Sequence, residues 1–197
     1  AEMEAIGRAG IVQGTLRNKL RLARCFDLLG QLKQCADMLE SETPPDGDTP
    51  SGVGLLSYRS QIKLSQGRLR GASEDAEAAV RLAARGNGRD LADALLHRAE
   101  YALAIADPQA ASTDLEAAKR ASDTARGVHR PFEDALFGLS QTELLILKGD
   151  LGNGALQAEA ACLMFERGSH EIWASAARLL TARCLARTDV SSADRLA

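Results

Sequence analysis

SQGRLRGASEDAEAAV, residues 65–80, and KGDLGNGALQAEAA, residues 148–161, share one register, and that register decides the fold. Each carries a glycine, Gly67 or Gly149, between two runs of helix-forming residues. Glycine adopts the left-handed backbone that ends a helix, so both positions read as helix–helix junctions. Counting outward, two further junctions fall into line at Gly30 and Ala106. Seven residues before the four junctions stand Ala23, Ser60, Ala99 and Thr142, and five after stand Cys35, Ala72, Ala111 and Gly154. Nine after come Leu39, Ala76, Leu115 and Ala158, and twelve after come Glu42, Ala79, Ala118 and Ala161. Small residues at fixed offsets let two helix backbones approach closely, while larger neighbours fill the gaps beside them. Two residues after each junction, Leu32, Leu69, Pro108 and Leu151 complete the pattern.

Composition agrees. The chain has 197 residues, 45% of them hydrophobic and only 4% aromatic, with alanine and leucine dominating. That is a helix-forming set rather than a sheet-forming one. Charged residues make up 26% at a net charge of -3, with both signs interspersed. Such a balance argues against a nucleic-acid arm or a polybasic membrane patch. The longest apolar stretches, such as LLIL at 144–147, fall far short of the roughly 20 residues a membrane span needs. AEMEAIGRAG at the N-terminus is too polar for a signal peptide, and its abrupt start suggests a piece of a longer chain.

The expected helix pairs are about 16–42, 54–86, 89–125 and 131–167, with a last helix over 170–187. The segment before residue 14 is expected to be helical, weakened by Gly7, Gly10 and Gly14. SETPPDGDTPSG is rich in Pro, Gly, Ser and Asp, so residues 43–53 are expected to be a mobile loop. Residues 188–197 are expected to be a frayed tail, leaving 1–187 as a single helical-repeat domain.

The four cysteines, Cys25, Cys35, Cys162 and Cys184, show no metal-ligand spacing and read as small buried hydrophobes in a reducing, cytoplasmic setting. His97, His129 and His170 are widely separated, so surface or capping roles are expected for each. Trp173 is expected to seat the last helix against the core, with a binding anchor at an interface as the alternative. No phosphate-binding loop or dinucleotide fingerprint occurs, and neither catalytic residues, metal nor cofactor is expected.

The register resembles the tetratricopeptide repeat, most clearly in GRLRGASEDAEAAV, in DPQAASTDLEAAKRA and in KGDLGNGALQAEAACLMF. ACLMFERGSHEIWASAARLLTARCLA, residues 161–186, is similar to the end of such an array. The junctions are 37, 39 and 43 residues apart, longer than the unit of about 34. In this the chain resembles the long-helix arrays of large bacterial signalling proteins, including those with a CHAT caspase-like domain. Departures are Glu42, and Arg59, Arg98 and Gln141, which stand eight before their junctions where apolar residues are usual.

The resemblance implies an all-α, right-handed α-solenoid of tandem antiparallel helix pairs, with a concave face lined by the first helix of each pair. Arg24, Gln61, Glu100 and Glu143, six before the junctions, would point into that groove. Leu20, Ser57, Leu96 and Leu139, ten before, would floor it, together with Asp27, Leu64, Leu103 and Ile146, three before. Arg24, Gln61, Leu96, Glu100, Leu139 and Glu143 are therefore the candidate partner-binding residues, although the same side chains also suit an ordinary solvated helix face. The expected function is a protein–protein interaction scaffold for a peptide or helix, either free-standing or as the regulatory segment of a larger signalling protein. A homo-oligomer or an attached effector domain fits as well, and a small-molecule sensor or helical-groove enzyme is the alternative.

Overall fold

The computed structural model describes residues 16–44, 49–125 and 131–194. These are all-helical, with no strand among the described residues. In chain order the helices are α1 (Leu16–Leu28), α2 (Leu32–Glu40), α3 (Thr49–Ser65), α4 (Leu69–Ala83), α5 (Gly88–Ala104), α6 (Pro108–Thr124), α7 (Pro131–Lys148), α8 (Leu151–Arg167) and α9 (Glu171–Asp194).

Among the described residues one turn is used five times. Gly30, Gly67, Ala106, Gly149 and Ser169 all have positive φ, between 57° at Ala106 and 79° at Gly149. At each, the left-handed residue's N–H reaches three residues back and the next N–H reaches five back. Gly67 N donates to Leu64 O at 2.9 Å and Arg68 N to Lys63 O at 2.9 Å. Ala106 and Asp107 repeat the pair on Leu103 and Ala102, and Ser169 and His170 repeat it on Glu166 and Phe165. This double closure satisfies carbonyls that a helix end otherwise leaves bare. The residue after the turn then starts the next helix, its own carbonyl accepting from Cys35, Ala72, Ala111, Gly154 or Ala174. Four of the five turns were legible at Gly30, Gly67, Ala106 and Gly149. Ser169 was not, because the register around it is incomplete, with Arg178 standing nine after it.

The small positions of the register are the packed ones. Ala23, Ser60, Ala99 and Thr142 are buried, as are Cys35, Ala72, Ala111 and Gly154. Ser60 Oγ donates to Ala72 O at 2.7 Å, pinning the seventh residue before a junction to the fifth after it. Cys162 Sγ does the same to Ala174 O at 3.6 Å around Ser169. Leu32 and Leu69, by contrast, are exposed and fill no gap.

The chain divides into two compact units, one built from Ala1–Tyr101 with Ala118–Ala125, the other from Ala102–Ala117 with Arg126–Ala197. In the first, α1 packs on α2 and α3, and α3 packs on α4. Leu22, Phe26, Leu39, Leu55 and Ile62 form one buried cluster there, and Val53, Leu56, Ala79, Ala83 and Ala94 another. In the second, α8 packs against both α7 and α9. Phe165 is its largest fully buried side chain. Trp173, 42% exposed, stacks on Phe165 with ring centroids 6.1 Å apart, and Phe132 closes edge-on. His170 lies against Phe132, at 4.6 Å between centroids.

Arg59, an apparent departure in sequence, is explained by its partner. Its guanidinium holds Asp75 through Nε at 2.8 Å and NH2 at 2.7 Å, and Lys63 adds a third contact at 2.7 Å. Asp75 is 6% exposed, and burial alone would raise its carboxyl pKa; the Arg59 and Lys63 contacts hold it below the usual range. Leaving one member of such a buried group alone would cost on the order of 3 kcal/mol. Arg59 stands eight before its junction and Asp75 eight after. The same two places hold Leu22 and Met38, Arg98 and Asp114, and Gln141 and Gln157, so the residue types match within each pair.

Several expected bounds are corrected. Residues 49–53 belong to α3 rather than to the 43–53 loop: Pro50 lies in the first turn, where its missing N–H costs nothing, and Val53 is buried. α2 stops at Glu40, so Glu42 lies beyond the helix; it pairs with Lys19 at 2.6 Å. Helix α9 runs to Asp194 instead of fraying at 188, since TDVSSAD contains neither Gly nor Pro and Thr188 Oγ1 bonds Cys184 O at 2.9 Å. The segment before residue 14, His129 and residues 195–197 lie outside the described residues.

An L-residue held left-handed costs about 1–2 kcal/mol. Ala106→Gly is therefore expected to raise the unfolding free energy by roughly 0.5–1 kcal/mol, after the entropy of the added glycine is deducted. Gly67→Ala should lower it by on the order of 1 kcal/mol. Urea titration checks both; a destabilised Ala106→Gly would show that the turn does not hold this backbone.

Candidate functional site

Helices α1, α3 and α5 bring one polar group together in the first unit. A cavity of about 380 Å³ is lined by Asp27, Tyr58, Ser60, Gln61, Ile62, Leu64, Ser65, His97 and Glu100. Four of its polar side chains come from two register columns, nine before the junctions (Tyr58, His97) and six before (Gln61, Glu100). Residues three apart on a helix share a face, so each of α3 and α5 contributes a vertical pair.

The walls are tied by side-chain hydrogen bonds. Gln61 Nε2 donates to Glu100 Oε2 at 2.7 Å, joining α3 to α5. His97 Nδ1 lies 2.9 Å from the same oxygen and 2.9 Å from Gln61 Nε2. Tyr58 donates its hydroxyl to Asp27 Oδ2 at 2.8 Å, joining α3 to α1. Beneath it Cys35 Sγ lies 3.9 Å from the Tyr58 oxygen, and the Arg24 guanidinium sits 5.7 Å from the Tyr58 ring centroid. That last geometry is a cation–π contact.

Protonation follows from these neighbours. Burial is the largest influence on Tyr58, and with Asp27 beside it the phenol stays protonated far above its ordinary range. Burial likewise pushes the Cys35 thiol up to about 11, so it is a neutral packing group near neutral pH. For His97, burial alone would lower the pKa, but the charge and hydrogen bond of Glu100 outweigh it and raise it. Asp93 acts in the same direction and Arg24 opposes. For Glu100, burial alone would raise the pKa, and His97 with Gln61 brings it below the usual carboxylate range. Glu100 therefore enters the cavity as an anion.

Of the six sequence candidates, Arg24, Gln61 and Glu100 meet in this region of the first unit. Leu96 is also in that unit but only 9% exposed, set beneath the surface rather than on it. Leu139 and Glu143 belong to α7 in the second unit, where Leu139 packs against the cluster containing Phe165. Glu143 is half-buried. His97 overturns its expected surface or capping role: it is a wall of the cavity. Tyr58 was not singled out at all. The signal for both lay nine before the junctions, one helical turn from Gln61 and Glu100.

Among the described residues no group of three or more His, Cys, Asp or Glu side chains is placed to hold a metal ion, and all four cysteines are free. No described helix is long and apolar enough to cross a membrane. Comparison with protein-family models, with curated proteins and with solved structures gives no match.

The Glu100–His97 pair makes stability depend on pH in a defined sense. The folded pKa of His97 is raised, so its contribution is complete below the ordinary 6.5 and disappears as pH rises through the raised value. The folded pKa of Glu100 is lowered, so its contribution is complete above the ordinary 4.5 and disappears as pH falls through the lowered value. The parent should exceed His97→Gln in stability most clearly between 4.5 and 6.5, by about 1 kcal/mol or less for a pair of this exposure, with the margin shrinking above 6.5. Unfolding midpoints measured across that range check it; a margin that grows with pH would contradict it.

Proposed function

We propose that this chain is a tetratricopeptide-like α-solenoid that holds a segment of another protein along the face formed by the first helices of its pairs. The observation that carries the reading is the cavity itself. It opens between α1, α3 and α5, the first helices of three successive pairs, and four of its polar side chains fall at repeated register positions. In a stack of helix pairs those positions line one continuous surface, because each pair is offset from the last by a constant step. A groove of that kind suits an extended peptide or an amphipathic helix, whose own side chains alternate between apolar floor and polar wall.

Three further facts support the reading. The turn chemistry recurs with the same two hydrogen bonds, which is what a stack of equivalent units requires. The positions seven before and five after the junctions hold small, buried residues in every pair. Arg24, Gln61 and Glu100 vary in charge at one repeated position, so the groove would carry a charge pattern able to select a partner. On this reading the protein works by binding, in the cytoplasm, as a free-standing scaffold or as the sensing segment of a signalling protein.

Selection of a displayed random peptide library against the full chain tests this directly. Peptides enriched on the parent should lose at least about tenfold in affinity on a Gln61→Arg variant that retains parental helicity, because a long cation would fill the cavity. Peptides that bind both proteins equally would place binding elsewhere. A library that yields nothing while a small metabolite raises the melting temperature would replace the scaffold with a small-molecule sensor.

A further inference from the structure

The cavity is unevenly supplied with hydrogen-bonding groups, and the imbalance specifies its ligand. The hydroxyl of Ser60 donates to Ala72 O at 2.7 Å, and that of Ser65 donates to Ile62 O at 2.8 Å. The Tyr58 hydroxyl is given to Asp27, and the Gln61 amide to Glu100. His97 Nδ1 lies 2.9 Å from both Glu100 Oε2 and Gln61 Nε2, so this nitrogen is engaged within the wall. The donors named in the wall are thus directed into the fold. The lining residues also carry acceptors, chief among them the two carboxylates Asp27 and Glu100. Both bonds to Glu100 fall on Oε2, so its Oε1 has lone pairs to offer.

A ligand rich in donors and positive in charge complements such a wall, and an anion or a carbonyl does not. Ile62 and Leu64 supply an apolar lining beside the acceptors, which suits a charged head carried on an aliphatic stem. From this complementarity we propose that the cavity between α1, α3 and α5 receives a lysine or arginine side chain of the bound protein segment. The inference rests on the groove-binding reading and names the anchor that the groove selects.

The charged and titratable groups around the cavity are Arg24 and Asp27 on α1, Tyr58 on α3, and Asp93, His97 and Glu100 on α5. Of these, His97 changes charge nearest neutrality, and its protonation would oppose an incoming cation. Affinity should therefore rise as pH increases through the titration of His97, and the rise should be absent in His97→Gln.

The test uses peptides selected on the full chain, resynthesised with each lysine or arginine replaced singly by norleucine, together with spermidine as a free cation. One replacement should cost about tenfold or more in affinity. Glu100→Gln should cost a comparable factor against the parent peptide and almost nothing further against that norleucine peptide. Unchanged affinity for every norleucine peptide, with binding still sensitive to Gln61→Arg, would overturn the cationic anchor and leave the groove-binding reading standing. Saturable spermidine binding with no peptide enrichment would overturn both the side-chain assignment and the scaffold. Loss of affinity in Glu100→Gln that is equal for both peptides would also overturn it, because the carboxylate would then act on the fold and not on the cation.

Discussion

Everything in this structure depends on how a helix is stopped. At five places among the described residues one residue turns left-handed, its N–H and the next close on the preceding helix, and the carbonyl of that next residue starts a new one. The turn is short and its geometry is fixed by two hydrogen bonds, so the next helix leaves in the same way each time. That is why small residues at constant offsets from the turn end up buried. A helix that left at a variable angle would place its close approach at variable positions, and no repeated register could survive.

The same constraint builds the cavity. With the offsets fixed, positions nine and six before each turn recur on a common side of successive first helices. Tyr58 with Gln61 and His97 with Glu100 are two copies of that vertical pair, and their hydrogen bonds tie α3 to its neighbours on either side. Tyr58 also belongs to the buried core of the first unit, so its column serves packing as well as the cavity. The positions seven before and five after the turns are restricted to small residues by contact.

The turns were legible wherever glycine marked them, and even at Ala106, because the surrounding offsets were complete. Ser169 escaped since its neighbours follow the register only in part: Ala174 stands five after it, but Arg178 stands nine after. The bounds of α7 and α8 were legible from Pro131, Lys148, Leu151 and Arg167, where signals at both ends agreed. The start of α3 was not, because Thr49-Pro50-Ser51-Gly52 has loop composition and is held helical by what Val53 and Leu55 bury. Arg59 read as a departure because its partner, Asp75, is on the next helix, and pairing across a turn leaves no trace in a single window. His97 was misread for a similar reason. A histidine gains its role from Gln61 and Glu100, and only folding brings the first of these within reach.

The central claim is that α1, α3 and α5 stand side by side and share one polar cavity. An isotope-edited nuclear Overhauser experiment on the full chain tests it most directly. The account predicts cross-peaks from the Gln61 side-chain amide to the His97 ring, as their 2.9 Å separation of Nε2 and Nδ1 requires. Resolved signals from both groups with no cross-peak between them would contradict the cavity and the binding reading built on it.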